Sequence, residues 1–273
     1  MTQIDTRRIP ANGIEINAAI AGEGEAILLL HGFPNTWQVW TKIIPDLVRS
    51  NHRVIAPDLR GLGDTTRAAN GYDAATLVED ALALLDALDV DSAQVVAHDL
   101  SVPSAVLLAS QHPERVRRLV VMEALLGGLP GAEGFSTPWW FGFHSAGDGL
   151  AARVLAGHES EYLDFFLRGG TYDGTGIPED VWQAFTKAYT GEESLRCAFA
   201  HYRAMPESAA QLVSALDERR LTMPVTAIGA RPVGGVLARQ LAPFADDLSA
   251  QQIDECGHII PLDRPKALLE HLV

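Results

Sequence analysis

The sequence predicts an α/β protein: a doubly wound, mostly parallel sheet that carries one helical insertion. Three observations predict it. Short runs rich in Val, Ile and Leu recur along the chain, each closed by turn residues. Stretches of helical period lie between them. From residue 129 to residue 213 this alternation stops and aromatic residues gather instead. Strand and helix in regular succession build a parallel sheet with right-handed crossovers and helices on both faces.

The apolar runs, in order, are AILLLHG (26–32), RVIAPD (53–58), AQVVAHD (93–99), RRLVVME (117–123), VTAIGA (225–230) and AQQIDEC (250–256). The middle four are apolar on both parities, so they read as strands buried on both faces. TLVEDALALLDALDV (76–90) has apolar residues at helical spacing and acids opposite, which predicts a surface helix. PSAVLLASQH (103–112) predicts another, with Pro103 in its first turn, where a missing N–H costs little. The insertion contains PWWFGFH (138–144), EYLDFFL (161–167), VWQAF (181–185) and FAHYRAM (199–205), and three of the five Trp. The expected division is therefore a core of residues 1–128 and 214–273 with a helical lid of residues 129–213.

A chain of 273 residues is long enough for one large core with such a lid. Apolar residues make up 47%, yet no run reaches the roughly 18 residues that span a bilayer. The opening MTQIDTRRIP lacks the layout of a signal peptide. The expectation is a soluble, cytoplasmic protein without a membrane partner. Cys197 and Cys256 are too few and too distant for a disulfide framework or a zinc site, and read as reduced, packed thiols. The net charge of −14, from 21 basic and 35 acidic residues, argues against nucleic acid, whose phosphates need clustered Lys and Arg. The one dense basic cluster, ERVRR (114–118), reads as a solvated helix end leading into a strand. The oligomeric state stays open, a homodimer among the options.

The stretch AHDLSVPS (97–104) carries the chemistry. A strand, a sharp turn and a helix in the pattern small-x-nucleophile-x-small form a nucleophile elbow. With Asp99 at the apex, the flanking positions are Ala97 and Ser101, both small. With Ser101 at the apex they would be Asp99 and Pro103, and neither fits. An Asp at this point also suits the cap of the following helix, so this stretch alone leaves two roles open.

Taken together, HGFPNTW (31–37), DLRGLGDT (58–65), AHDLS (97–101), HYRAM (201–205) and CGHIIPLDRP (256–265) resemble the epoxide hydrolases of the α/β-hydrolase superfamily, over nearly the whole chain. The resemblance implies the α/β-hydrolase fold with an inserted helical cap, and neither metal nor cofactor. It implies Asp99 as the nucleophile, which forms an alkyl ester with an epoxide carbon, and His258 as the base that activates water against that ester. His31 and His98 are left to packing and hydrogen bonding around the elbow. The oxyanion hole would use the backbone N–H groups of Phe33 and Leu100. The commonest place for the third acid, just after VTAIGA, holds Arg231, so Glu123, at the end of the preceding strand, is expected to orient His258. Asp254, Glu255, Asp246 and Asp247 read as solvated charges. Tyr202 matches one of the two lid tyrosines that donate to the epoxide oxygen. The other position falls in PWWFGFH, where Trp139 or Trp140 is expected to donate through its indole N–H. Tyr162, Tyr172 and Tyr189 are left to packing. Phe33, Pro34, Trp37, Trp139, Trp140 and Phe143 are expected to line the substrate pocket, and Asp58, Arg60 and Gly61 to shape a loop beside it.

The expected substrate is a small-molecule epoxide, bulky and apolar, with natural-product intermediates among the candidates, opened to a vicinal diol. Haloalkane or haloacid dehalogenation uses the same Asp chemistry. Its usual halide-binding Trp, or the carboxylate-binding Arg, is absent after the nucleophile, where Leu100 stands. A non-catalytic, ligand-binding member of the fold is the other alternative.

Overall fold

The computed structural model describes residues 2–273; Met1 lies outside the described residues. Eight strands form one sheet: β1 (Asp5–Ala11), β2 (Ile14–Ala21), β3 (Glu25–Leu30), β4 (His52–Pro57), β5 (Ala93–His98), β6 (Val116–Met122), β7 (Val225–Gly229) and β8 (Leu248–Gln252). Their order across the sheet is β1-β2-β4-β3-β5-β6-β7-β8. From β4 through β8 every pairing is parallel, while β1 and β2 form an antiparallel hairpin added beside β4. The six expected strands are present. The hairpin is the addition, and β8 begins two residues earlier than its apolar run.

The helices of the core are α1 (Ile44–Arg49), α2 (Ala74–Ala87) and α3 (Val102–Gln111). Asp73 caps α2 by accepting from the Thr76 N–H, which sets its start two residues before the periodic run. Pro103 sits in the first turn of α3, as its sequence predicts. Between β6 and β7 lie α4 (Trp139–His144), α5 (Leu150–Leu155), α6 (Glu159–Gly169), α7 (Glu179–Ala188) and α8 (Glu192–Glu218). The insertion is thus wholly helical, and its last helix runs past residue 213 to pack along α2 and α3. The chain then closes with α9 (Val236–Leu241), α10 (Ile260–Asp263) and α11 (Pro265–Leu269).

Every residue of β5 is buried, as are all of β7 and nearly all of β3, so the core lies on both faces of the central strands. Cys197 and Cys256 are free, buried thiols. The basic cluster does more than meet solvent: Arg115 bonds Asp86 and the carbonyls of Val90 and Asp91, and Arg117 bonds Ala26 O, so the pair ties neighbouring loops to the sheet. No helix among the described residues is long and apolar enough to cross a membrane.

The strand order decides where a site can form. The chain leaves β3, moves outward to β4, then returns to β5 on the other side of β3. Loops leaving the carboxyl ends of β3 and β5 therefore diverge and open a crevice between them. The turns after β6 and β7 and the loop after β8 leave from the same edge.

Candidate active site

Asp99 stands at that crevice, immediately after β5, with φ at 57°. A left-handed backbone is rare for a residue with a Cβ and marks a turn held by its surroundings. Three contacts hold it. Ser101 Oγ accepts from the His98 N–H and lies within hydrogen-bond distance of the Leu30 and His98 carbonyls. The Phe33 N–H donates to Asp99 Oδ1 at 2.7 Å. Gly32 passes so close that any Cβ there would collide with the Asp99 carboxylate. Ser101 is fully buried and its hydroxyl is spent on backbone, so it cannot act as a nucleophile. The Asp99 side chain keeps 22% of its surface open.

His258, on the loop after β8, faces Asp99 with Nε2 3.4 Å from Oδ2. Its Nδ1 lies 3.1 Å from Glu123 Oε2. Glu123 follows β6 in a second left-handed turn, φ 52°, and is buried. Its Oε1 accepts from the Ala230 N–H at the end of β7, at 2.6 Å. That bond draws the carboxylate across to the end of β7, the place where the sequence has Arg231 and no acid. Arg231 itself is exposed. Burial alone would lower the His258 pKa, but hydrogen bonds and charge from Asp99 and Glu123 outweigh it and raise the value to about 10. Burial pushes the Asp99 carboxyl up, while His258, His98 and the Phe33 N–H pull it down, for a net shift below the ordinary value. The resting pair is therefore carboxylate and imidazolium.

The flanking histidines stay neutral. Burial lowers His31 to about 4, and its Nε2 accepts from the Leu59 N–H, which puts the ring proton on Nδ1 toward Gly32 O. Burial and the His258 charge lower His98 to about 3, and its Nε2 bonds the His258 carbonyl at 2.8 Å. Both hold backbone beside the elbow. Asp58 anchors the neighbouring turn by accepting from the Trp37 and Asp64 N–H groups, and Arg60 pairs with the buried Asp80.

Over this edge the helices α4, α6, α7 and α8 bring an aromatic wall. Phe33 is its hub, with ring centroids of His144, Phe166, Tyr189, Tyr202 and Phe199 at 5.2 to 6.0 Å. Tyr202 is buried, and the Asp99 charge bears on its phenol. Beside it lies His144, its centroid 4.4 Å from that of Tyr202 and stacked on Phe199 at 4.1 Å. Burial lowers His144 to about 3 against the opposing charge of Asp99.

The fold has known relatives. A family model described as alpha/beta hydrolase fold matches residues 25–195. The chain belongs to the α/β-hydrolase fold family. This hydrolase is 27% identical to the soluble epoxide hydrolase of Corynebacterium sp. (strain C12) over 277 residues, covering 98% of this chain and 96% of that protein. It is 37% identical over 139 residues to the 2-hydroxymuconate semialdehyde hydrolase of Pseudomonas sp. (strain CF600), half of this chain and 49% of the relative. The crystal structure of Cfl2 from Burkholderia cenocepacia superposes with a TM-score of 0.88 at 32% identity, covering 99% of this chain and 94% of that one.

Within the hydrolase, the structure brings together Asp99, His258, Glu123, Phe33 and Tyr202. Leu100, directly after Asp99, is buried, and its N–H makes no hydrogen bond to the resting carboxylate among the described residues. Other expected residues lie farther out. Trp139 is 60% exposed and meets the ring of Trp140 edge-on and those of Phe143 and Phe165 at a tilt. Trp140 is half-buried against Phe166, and Phe143 lies at the margin against His144 and Tyr162. Trp37 is half-buried and takes no part in the ring contacts of Phe33 among the described residues; Pro34 is buried. Of the two expected indole donors Trp139 is largely exposed, and the polar ring beside Tyr202 is His144, which the sequence did not single out, nor Phe166 and Phe199. The available signal was a lone polar ring ending the run PWWFGFH.

Proposed function

We propose that this hydrolase opens epoxides to vicinal diols through a covalent ester of Asp99. The observation that carries the reading is a carboxylate, not a hydroxyl, at the elbow apex, with an imidazole 3.4 Å away and neutral donors, Tyr202 and His144, on the facing wall. The length-wide similarity to a soluble epoxide hydrolase supports it. The wall is aromatic and carries no unpaired charge, which suits an apolar epoxide.

Asp99 attacks an epoxide carbon, the C–O bond breaks, and its electron pair stays on oxygen. Tyr202 and His144 donate hydrogen bonds to that oxygen, and Tyr202 yields its proton to the alkoxide. Esterification removes the Asp99 charge, one of the two that hold the His258 pKa near 10. The imidazolium then returns a proton to the Tyr202 phenolate and becomes the neutral base the second step needs. It takes a proton from water as the oxygen attacks the ester carbonyl, with the Phe33 N–H stabilising the oxyanion. Collapse of the tetrahedral species passes the proton from His258 to the departing diol oxygen. The Asp99 carboxyl then gives its own proton to His258, and the resting ion pair is restored.

The test is to mix a His258→Gln variant with styrene oxide and measure intact mass. The expected result is accumulation of a +120 Da adduct on the order of one per chain, from the mass of styrene oxide, localised to the peptide containing Asp99. Turnover by the unmodified protein with no adduct under these conditions would refute the covalent route.

A further inference from the structure

One hydrogen bond in the aromatic wall lies outside this cycle. Tyr162 Oη and His144 Nε2 are 2.7 Å apart, the first on α6 and the second at the end of α4. His144 Nδ1 is buried and has no hydrogen-bond partner among the described residues. We propose that Tyr162 is a positioning residue: its O–H donates to His144 Nε2 and so confines the ring proton of His144 to Nδ1, where it meets the substrate oxygen.

A neutral imidazole has one proton for two nitrogens, so whatever bonds one nitrogen decides the state of the other. Two arrangements fit the contact. In one, phenol donates to the Nε2 lone pair. In the other, Nε2–H donates to the phenol oxygen. The separation favours the first, because O–H donors sit at about 2.7 Å and N–H donors nearer 2.9 Å. So does the chemistry, since a phenol is the stronger acid and an imidazole nitrogen the stronger acceptor. The second arrangement would also leave the phenol proton without a protein acceptor among the described residues. Burial keeps the phenol un-ionised, which preserves the donor.

With Nε2 occupied, Nδ1–H becomes a buried donor without a partner. Such groups are rare in native proteins and commonly serve a ligand. The ring is held for that purpose by the stack on Phe199 and the edge contact with Tyr202. No proton leaves His144: it donates a hydrogen bond, and the transferred proton comes from Tyr202. The use of the Nδ1 proton rests on the epoxide reading, whereas the tautomer does not.

The experiment is proton-coupled nitrogen NMR of protein labelled with ¹⁵N-histidine, with His144 assigned by its loss in His144→Gln. The expected wild-type spectrum has the His144 proton on Nδ1. In Tyr162→Phe, which keeps the ring contact with Phe166 at 5.2 Å, the proton moves to Nε2 or divides between the nitrogens. The rate of Asp99 alkylation then falls about tenfold to a hundredfold while KM changes little, as expected when one of two oxyanion donors is misdirected. A wild-type proton on Nε2, or a tautomer unmoved in Tyr162→Phe, would overturn the proposal. A Tyr162-dependent Nδ1 proton in a protein that opens no epoxide would uphold the positioning role and reject the substrate reading instead.

Discussion

Asp99 and Glu123 share a backbone state that most residues avoid, φ 57° and 52°, at the ends of adjacent strands. Each left-handed turn aims a carboxylate at one side of the same imidazole, and the two together hold His258 near a pKa of 10. Their roles separate on substitution. Glu123→Gln keeps an oxygen for the Ala230 N–H but removes the charge facing Nδ1. We expect ester hydrolysis to slow by about a hundredfold to a thousandfold, with alkylation less affected, so the alkyl-enzyme should accumulate. Rapid-quench mass measurement reads both steps. Equal slowing of both would mean that Glu123 serves Asp99 rather than His258. At this scale the sequence was legible where a motif confined a residue to a turn. Asp99 was readable as the apex of a turn from its small neighbours, whereas His258 and Glu123 were placed by the resemblance their motifs carry. His144 was not, because a helix decides which way its residues face. Five positions separate Trp139 from His144, about 140° around the axis, so the Trp meets solvent and the His is buried against Phe199 and Tyr202.

The loop that carries His258 is held by an element far from it in sequence. Asp263 Oδ2 accepts from the Gly257 N–H at 2.6 Å and from the Tyr172 N–H at 2.9 Å. The Ile259 N–H donates to Gly170 O, and Lys42 Nζ bridges Gly176 O and Leu262 O. One buried carboxylate thus pins the segment after α6 to the loop that carries His258. Gly257 is required at the contact, since a Cβ there would meet the backbone of Gly170 and Thr171 within 2.7 Å. Asp263→Ala should lower kcat about tenfold to a hundredfold by letting the imidazole wander from Asp99. Hydrogen exchange should rise in residues 168–176 and 256–263 together while the central strands stay protected. Faster exchange in only one of the two segments would show that Asp263 does not couple them. None of this was visible in sequence. Asp263 lies in LDRP, where an acid reads as a surface charge, and its distant partner, the Tyr172 N–H, comes from a segment about ninety residues away.

For the whole molecule, the parallel strands were legible because burial on both faces leaves continuous apolar runs, a pattern few other structures produce. The β1–β2 hairpin was not, because β1 is largely exposed and its residues DTRRIPA carry no such run. The same deep burial has a consequence for acid stability. His31 and His201 are held near pKa 4, and His98 and His144 near 3, all by burial first. Below the ordinary imidazole value of 6.5 the unfolded chain binds these protons and the folded chain does not, so stability is lost as pH falls from 6.5 toward 4. Asp58 opposes this: burial raises it to about 6, so the folded state holds a proton there that the unfolded state releases above 3.8. The balance at pH 5 is about three protons taken up per chain unfolded, a loss of about 5 kcal/mol between pH 6.5 and 5. That is comparable to the whole stability of many domains. On the alkaline side His258, raised to about 10, contributes stability that is complete below 6.5 and is lost as pH rises through 10. Urea midpoints should therefore peak at about pH 7, where the unfolded imidazoles have lost most of their protons, and fall steeply by pH 5. A midpoint unchanged from pH 7 to pH 5 would mean that the four imidazoles reach solvent in the folded state, and the neutral aromatic wall argued for the site would lose its physical basis.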